Sequence, residues 1–79
     1  MENVKEILAR NVRLERRRQN MSQEELAHQA DLDRTYISAI ERAIRNPSIM
    51  VVAQCAKALN LTTAQLLTDF AIKSTKEPM

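Results

Sequence analysis

The tightest constraint on this chain is a pair of helix starts crowded into one short stretch. Ser22-Gln23-Glu24-Glu25 forms a capping box: the Ser22 hydroxyl can accept from the Glu25 amide, and the Glu25 carboxylate can reach back to the amide of Ser22. Asp33 is a second N-cap, standing directly before Arg34-Thr35-Tyr36-Ile37. Asp31 and Leu32 leave room between them for a turn and nothing more. The spacing predicts a helix over 23–30 that buries Leu26 and Ala27, and another over 34–42 that buries Ile37 and Ile40. Two helices so short cannot cover both faces of each other. The second must leave one face free.

The flanking segments are helical too. Val4, Ile7, Leu8 and Val12 recur at helical spacing and predict a first helix over 3–19, with Asn20 as a left-handed residue just past its end. Arg45-Asn46-Pro47 reads as a loop, because proline removes an amide and restricts the residue before it. A fourth helix opens at Pro47 or Ser48, turns Ile49, Val52, Ala56 and Leu59 inward, and stops at Asn60. Thr62-Thr63-Ala64-Gln65 is a second capping box and opens a fifth helix to about residue 72. The expectation is an all-α, five-helix domain over residues 1–73, followed by a polar tail over 74–79. A chain this small is marginal alone, and association is a common remedy.

Charge narrows the partners. The net charge is only +2, but Arg10, Arg13, Arg16, Arg17 and Arg18 cluster, and Arg34, Arg42 and Arg45 follow. Such clustering suits a polyanion better than a small acidic substrate, although any one arginine can equally be a solvated helix residue. Cys55 is the sole cysteine, which excludes an intramolecular disulfide and favours a reducing compartment. No apolar run reaches membrane-spanning length, and the acidic, polar start is unlike a signal peptide. The expected location is the cytoplasm or nucleoid, with no membrane partner.

Catalysis and cofactors find no support. The serines and threonines lack a histidine base at a suggestive spacing, a chain without glycine has no glycine-rich phosphate loop, and the acids sit in caps or pairs. His28 is a lone histidine and reads as a surface residue of the second helix. Cys55, among Val52, Ala53, Ala56 and Leu59, reads as a small hydrophobe, with a redox switch as the sharper alternative. No metal site and no cofactor are expected.

Winding the third helix at about 100° per residue places Arg34, Thr35, Ser38, Ala39 and Arg42 on the outward face, with Tyr36, Ile37 and Ile40 inward or at the edge. The outward face is polar and headed by Arg34, whose two donors match O6 and N7 of guanine. Thr35 can touch a thymine methyl or bond a phosphate, and Ser38 can do either more weakly. Ala39 would allow close approach. Tyr36 is a core-edge ring, a hydroxyl reaching phosphate, or both. A helix N-terminus also favours phosphate through its unpaired amides.

These residues carry a resemblance. Met21-Ser22-Gln23-Glu24-Glu25-Leu26-Ala27, then Leu32-Asp33-Arg34-Thr35-Tyr36-Ile37-Ser38, Ile40-Glu41-Arg42 and Arg45-Asn46-Pro47-Ser48 resemble the phage-repressor-like (lambda-repressor-like) helix-turn-helix family. Within it they look most like the controller proteins of restriction–modification systems. The resemblance spans roughly 12–67. It implies a transcription regulator that binds double-stranded DNA through Gln23, Arg34, Thr35, Tyr36, Ser38, Arg42, Arg45 and Asn46. Gln23 would bind a backbone phosphate, and Arg42, Arg45 and Asn46 would make backbone or groove-edge contacts. It also implies a partly buried ion pair between Arg16 and Glu41, leaving Arg10, Arg13, Arg17 and Arg18 solvated or facing phosphate. The family usually has glycine where Asn20, Asp31, Ala43 and Asn60 stand here. Asn and Asp tolerate a left-handed backbone and alanine does not, so the loop through Ile44 and Arg45 is expected to be strained or reshaped.

The same resemblance implies a homodimer on a two-fold-related operator, at the promoters of its own gene and of an endonuclease gene, activating at low occupancy and repressing at high. Helix five supports the dimer. Leu66 and Phe70 fall on one flank, with Ala64, Leu67 and Ala71 on the other, an apolar arc wider than one small core needs. Leu66, Leu67 and Phe70 are the expected interface, with part of helix four. Glu24 and Glu25 are candidates for a contact with RNA polymerase; as plain structure they are a helix-dipole acid and a capping-box acid. A phage repressor headpiece and a DNA-binding antitoxin share the pattern. A helical protein–protein adaptor without DNA binding is the reading from another class.

Overall fold

Every helix starts on a side-chain cap. In the computed structural model, which describes residues 3–69, α1 spans Val4–Arg18, α2 Gln23–Ala30, α3 Arg34–Glu41, α4 Ile49–Ala58 and α5 Thr63–Leu66, with no strand among the described residues. The caps are Asn3, Ser22, Asp33, Ser48 and Thr62. Both predicted capping boxes are complete. Each cap satisfies an amide that has no partner inside its helix.

The helices end as consistently as they begin. Asn20, Asp31, Ala43 and Asn60 all take positive φ, between 59° and 62°. One residue further on, Met21, Leu32, Ile44 and Leu61 donate their amides back to the carbonyls of Arg16, Ala27, Ala39 and Ala56, at 2.8 to 3.1 Å. This is the return bond of a Schellman ending, in which the following apolar residue usually tucks under the helix. Met21, Leu32 and Leu61 do so, packing against the core. Ile44 does not, and stays 63% exposed.

The core is built on α3. Ile37 and Ile40 are enclosed with Leu8 and Val12 of α1, Leu26 and Ala27 of α2, Val52, Cys55 and Ala56 of α4, and Leu59 and Leu66. Burial pushes the Cys55 thiol up to about 11, with the nearby Glu41 charge adding to the effect. The thiol is inert packing, as expected of a small hydrophobe. His28 is exposed. No helix of the described residues is long and apolar enough to cross a membrane.

Four expectations are corrected. Val4 is half-exposed and Ile49 is 62% exposed, because the first turns of α1 and α4 overhang the core rather than cover it. Ala39 is buried, not outward: it lies about 140° round the helix from Arg34, which turns it toward the protein interior. Helix five stops at Leu66 instead of running to residue 72. Side chains from α1 hold its end and the segment after it: Asn11 Nδ2 donates to the carbonyl oxygens of Leu66 and Thr68 at 2.8 and 2.7 Å, and Arg10 pairs with the Asp69 carboxylate at 2.6 Å. Phe70, Ala71 and the 74–79 tail lie outside the described residues.

Candidate nucleic-acid interface

The pose of α3 is set by one carboxylate. Glu41, at its last turn, accepts from Arg16 Nε at 2.6 Å, Arg16 Nη2 at 3.1 Å and Gln23 Nε2 at 3.0 Å. Arg13 Nη1 donates to the Glu41 carbonyl oxygen at 3.1 Å, and Arg16 Nη1 to that of Met21 at 2.8 Å. The ion pair is nearly closed to water, with 11% and 4% of the two side chains exposed. The hydrogen bond to Glu41 raises the Arg16 pKa against the opposing cost of burial. Three donors on one buried carboxylate tie α1, α2 and α3 together at the end of α3.

This network redirects two sequence expectations. Gln23, expected on a phosphate, is half-buried and spends an amide hydrogen on Glu41. Arg13, grouped with the solvated arginines, caps α3. The arginine cluster as a whole is less available than its charge suggests, since Arg10 pairs with Asp69 and Arg18 with Glu15. Arg17 is exposed.

On the other side of α3, Arg34, Thr35 and Arg42 are exposed and Ser38 is partly so. Positions 34, 38 and 42 repeat every four residues and share one face with 35. Beyond the helix, Arg45 and Asn46 are exposed, and the Arg45 guanidinium lies 4.5 Å from the centre of the Tyr36 ring. That cation–π contact draws the loop back toward α3. The partly buried Tyr36 thus serves as both core edge and loop support. Asn46 lines the groove that also holds Leu67, and Arg45 is joined to Tyr36, whereas Arg34, Thr35, Ser38 and Arg42 form one outward face of α3. Gln23 flanks that face through Glu41.

The N-terminus of α3 is not an open phosphate site. Asp33 Oδ1 accepts from the Thr35 amide at 3.0 Å and from the Thr35 hydroxyl at 2.9 Å. Those bonds, the amide first, hold the Asp33 carboxyl below the ordinary carboxylate range. The fixed negative charge stands where an incoming phosphate would need amides.

The expected dimer residues separate. Leu66 is fully buried within the single chain, so it serves the core and is closed to any direct contact with a second copy. Leu67 is half-buried at the edge of a groove of about 290 Å³ whose lining is mostly apolar, from Val4, Leu8, Pro47, Ile49 and Val52, with Lys5 and Asn46 as its polar members. Met50, the residue after Ile49, is 69% exposed. Glu24 and Glu25 are exposed on α2, and the Glu25 carboxylate is engaged in its capping box.

Sequence reasoning passed over three structural residues. Asn11 is 1% exposed and clamps the end of α5, Gln19 caps α4 through the Leu59 carbonyl at 2.9 Å, and Gln54 caps α2 through the Ala30 carbonyl at 3.0 Å. Asn11 did carry a signal: it stands at i+4 from Ile7 and i+3 from Leu8, inside the apolar stripe of α1.

A helix-turn-helix family model matches residues 12–66. The control protein C.SmaI of Serratia marcescens is 46% identical over 71 residues, covering 90% of this chain and 84% of that protein. A crystal structure of the hypothetical transcription factor NHTF from Neisseria superposes with a TM-score of 0.88 at 39% identity, over 95% of this chain and 86% of that one. The restriction–modification controller protein C.AhdI from Aeromonas hydrophila superposes with a TM-score of 0.76 at 32% identity, over 78% and 94% of the two chains.

Proposed function

Because the chain belongs to the helix-turn-helix family, we propose that it is a sequence-specific DNA-binding transcription regulator, the controller of a restriction–modification operon. The supporting observation is the exposed polar face of α3, headed by Arg34 and held rigidly by the Glu41 network. A face built to read bases must be both accessible and fixed in angle, and this one is both. Arg34, Thr35 and Ser38 are the base readers. Arg42, Arg45 and Asn46 hold the backbone or groove edge, and Tyr36 supports Arg45. Gln23 meets a phosphate with the capacity that Glu41 leaves it.

The regulator acts as a homodimer at its own promoter and that of the endonuclease gene, in the cytoplasm. Leu67 and the exposed Ile49 and Met50 of α4 carry the dimer contact, continued by Phe70. Two copies double the phosphate contacts and place two reading helices on half-sites about 34–36 Å apart. Glu24, the more available of the two acids on α2, is the candidate polymerase contact, with Glu25 beside it.

The decisive experiment selects bound sequences from a random DNA pool and then titrates the selected site against salt. A two-fold-related site should emerge. With several phosphates neutralised, affinity should fall by orders of magnitude between about 50 and 200 mM salt. Recovery of no preferred sequence, or binding indifferent to salt, would exclude the reading and leave the protein-adaptor alternative.

A further inference from the structure

We infer that Asp33 turns Thr35 into a donor-free reader that recognises the 5-methyl group of a thymine. The inference rests on the proposed DNA-reading role of α3 and adds which chemistry one of its positions reads.

A threonine hydroxyl has one proton to give. Here it goes to Asp33 Oδ1, at 2.9 Å, and the same oxygen accepts the amide of Thr35 at 3.0 Å. The amide bond holds the Asp33 oxygen in place, and the hydroxyl bond to it then selects one side-chain torsion, because a β-branched residue has few allowed rotamers. Fixing the hydroxyl fixes the γ-methyl as well, on a residue exposed to solvent beside Arg34. What Thr35 offers a partner is then a methyl group and hydroxyl lone pairs, with no hydrogen left to donate.

That inventory rules out acceptor-only targets and leaves two kinds of contact, a methyl group or an amino hydrogen of adenine or cytosine; the fixed γ-methyl argues for the first. Phosphate oxygens accept only, as do guanine O6 and N7, so a threonine without a donor cannot bond them. Thymine presents in the major groove an apolar methyl that neither guanine, adenine nor cytosine has. Arg34, with donors and no acceptor, suits guanine. The two neighbours therefore divide the work, a charged donor for one base and an apolar contact for the next. The same two bonds lower the Asp33 carboxyl pKa and so favour the charged, accepting form.

The test uses the full chain and the operator it selects, with each thymine replaced in turn by deoxyuridine, which differs by the methyl alone. One thymine per half-site should lose about four-fold in affinity on replacement, the worth of one buried methyl. T35S, which removes the methyl and keeps the hydroxyl, should bind the thymine and deoxyuridine sites equally. D33A should relax the preference for thymine at that same position, whereas D33N, whose amide oxygen can accept both bonds, should retain it. Circular dichroism checks that the variants remain helical. A flat deoxyuridine scan, a methyl effect that survives in T35S, or an unchanged thymine preference in D33A would each overturn the inference while selective, salt-dependent binding stood. Loss of that binding in the wild-type protein would instead remove the regulator reading, and this inference with it.

Discussion

Arg16 and Glu41 meet side-on, with Nε 2.6 Å and Nη2 3.1 Å from the two oxygens of one carboxylate. The sequence distance between them is long, and neither side chain is more than slightly exposed. A buried pair is weak evidence of net stability, yet breaking it strands a charge. R16A and E41A should each lower unfolding free energy by about 3–5 kcal/mol, and the double mutant should cost less than their sum. Urea denaturation of the four proteins in the cycle measures this directly. Additive losses would mean that the two groups do not interact.

Arg34 should be separable from this scaffold. R34A removes an exposed side chain, so stability should stay within about 0.5 kcal/mol. Specific binding should weaken by about 1–3 kcal/mol, with preference relaxed at one position in each half-site. Selection of bound sequences with the variant reads out both effects. An unaltered preference would remove Arg34 from the readers.

Cys55 gives a pH prediction with a definite sign. Its thiol is held near 11 in the folded chain, against about 8.5 for an exposed thiol. Between those values the unfolded chain sheds the proton and the folded chain keeps it. Stability contributed by the neutral thiol is complete below about pH 8.5 and falls as pH rises toward 11. C55A should show a flatter alkaline stability profile than the wild type. In the native protein at pH 8, a thiol reagent should react only as fast as the chain opens; immediate reaction would contradict the burial.

The dimer proposal rests on Ile49, which shares a groove with Leu67, and on the exposed Met50 that follows it in sequence. M50E or I49E should dissociate the dimer while leaving the monomer folded, because both positions are exposed in the protomer. F70A should weaken it as well, and each loss should carry operator affinity down with it. Sedimentation at micromolar concentration decides. A wild-type monomer, or an M50E dimer of unchanged strength, would exclude this surface.

Helix starts were the most legible part of the sequence, because a cap is a local event between residues two or three apart: Ser22, Asp33 and Thr62 announce themselves. Faces were legible where a helix is covered along its whole length, as Ile37 and Ile40 are. Ile49 misled because periodicity tells which side a residue is on, not whether anything lies opposite. Helix five looked longer because its terminator, Asn11, comes from the other end of the chain. The site followed the same division. Arg34, Thr35 and Arg42 could be placed on one face by winding alone, while the bonds from Gln23 and Arg13 to Glu41 join residues that only the tertiary fold brings together.

The four left-handed helix endings have a consequence in the denatured state. With no glycine anywhere in the chain, the unfolded ensemble is stiffer at those four turns than a glycine-bearing relative would be, and less disorder is lost when they form. Asn20, Asp31 and Asn60 obtain that advantage cheaply, since their side chains tolerate the left-handed region. Ala43 does not: its backbone is strained by about 1–2 kcal/mol, while glycine there would cost about 0.4–1 kcal/mol in added unfolded freedom. A43G should therefore leave the protein as stable or slightly more so. It would also loosen the one joint whose following residue, Ile44, never folds back onto the core. Alanine at that joint allows fewer backbone conformations than glycine would, so A43G should widen the paths open to Arg45 and Asn46 beyond α3.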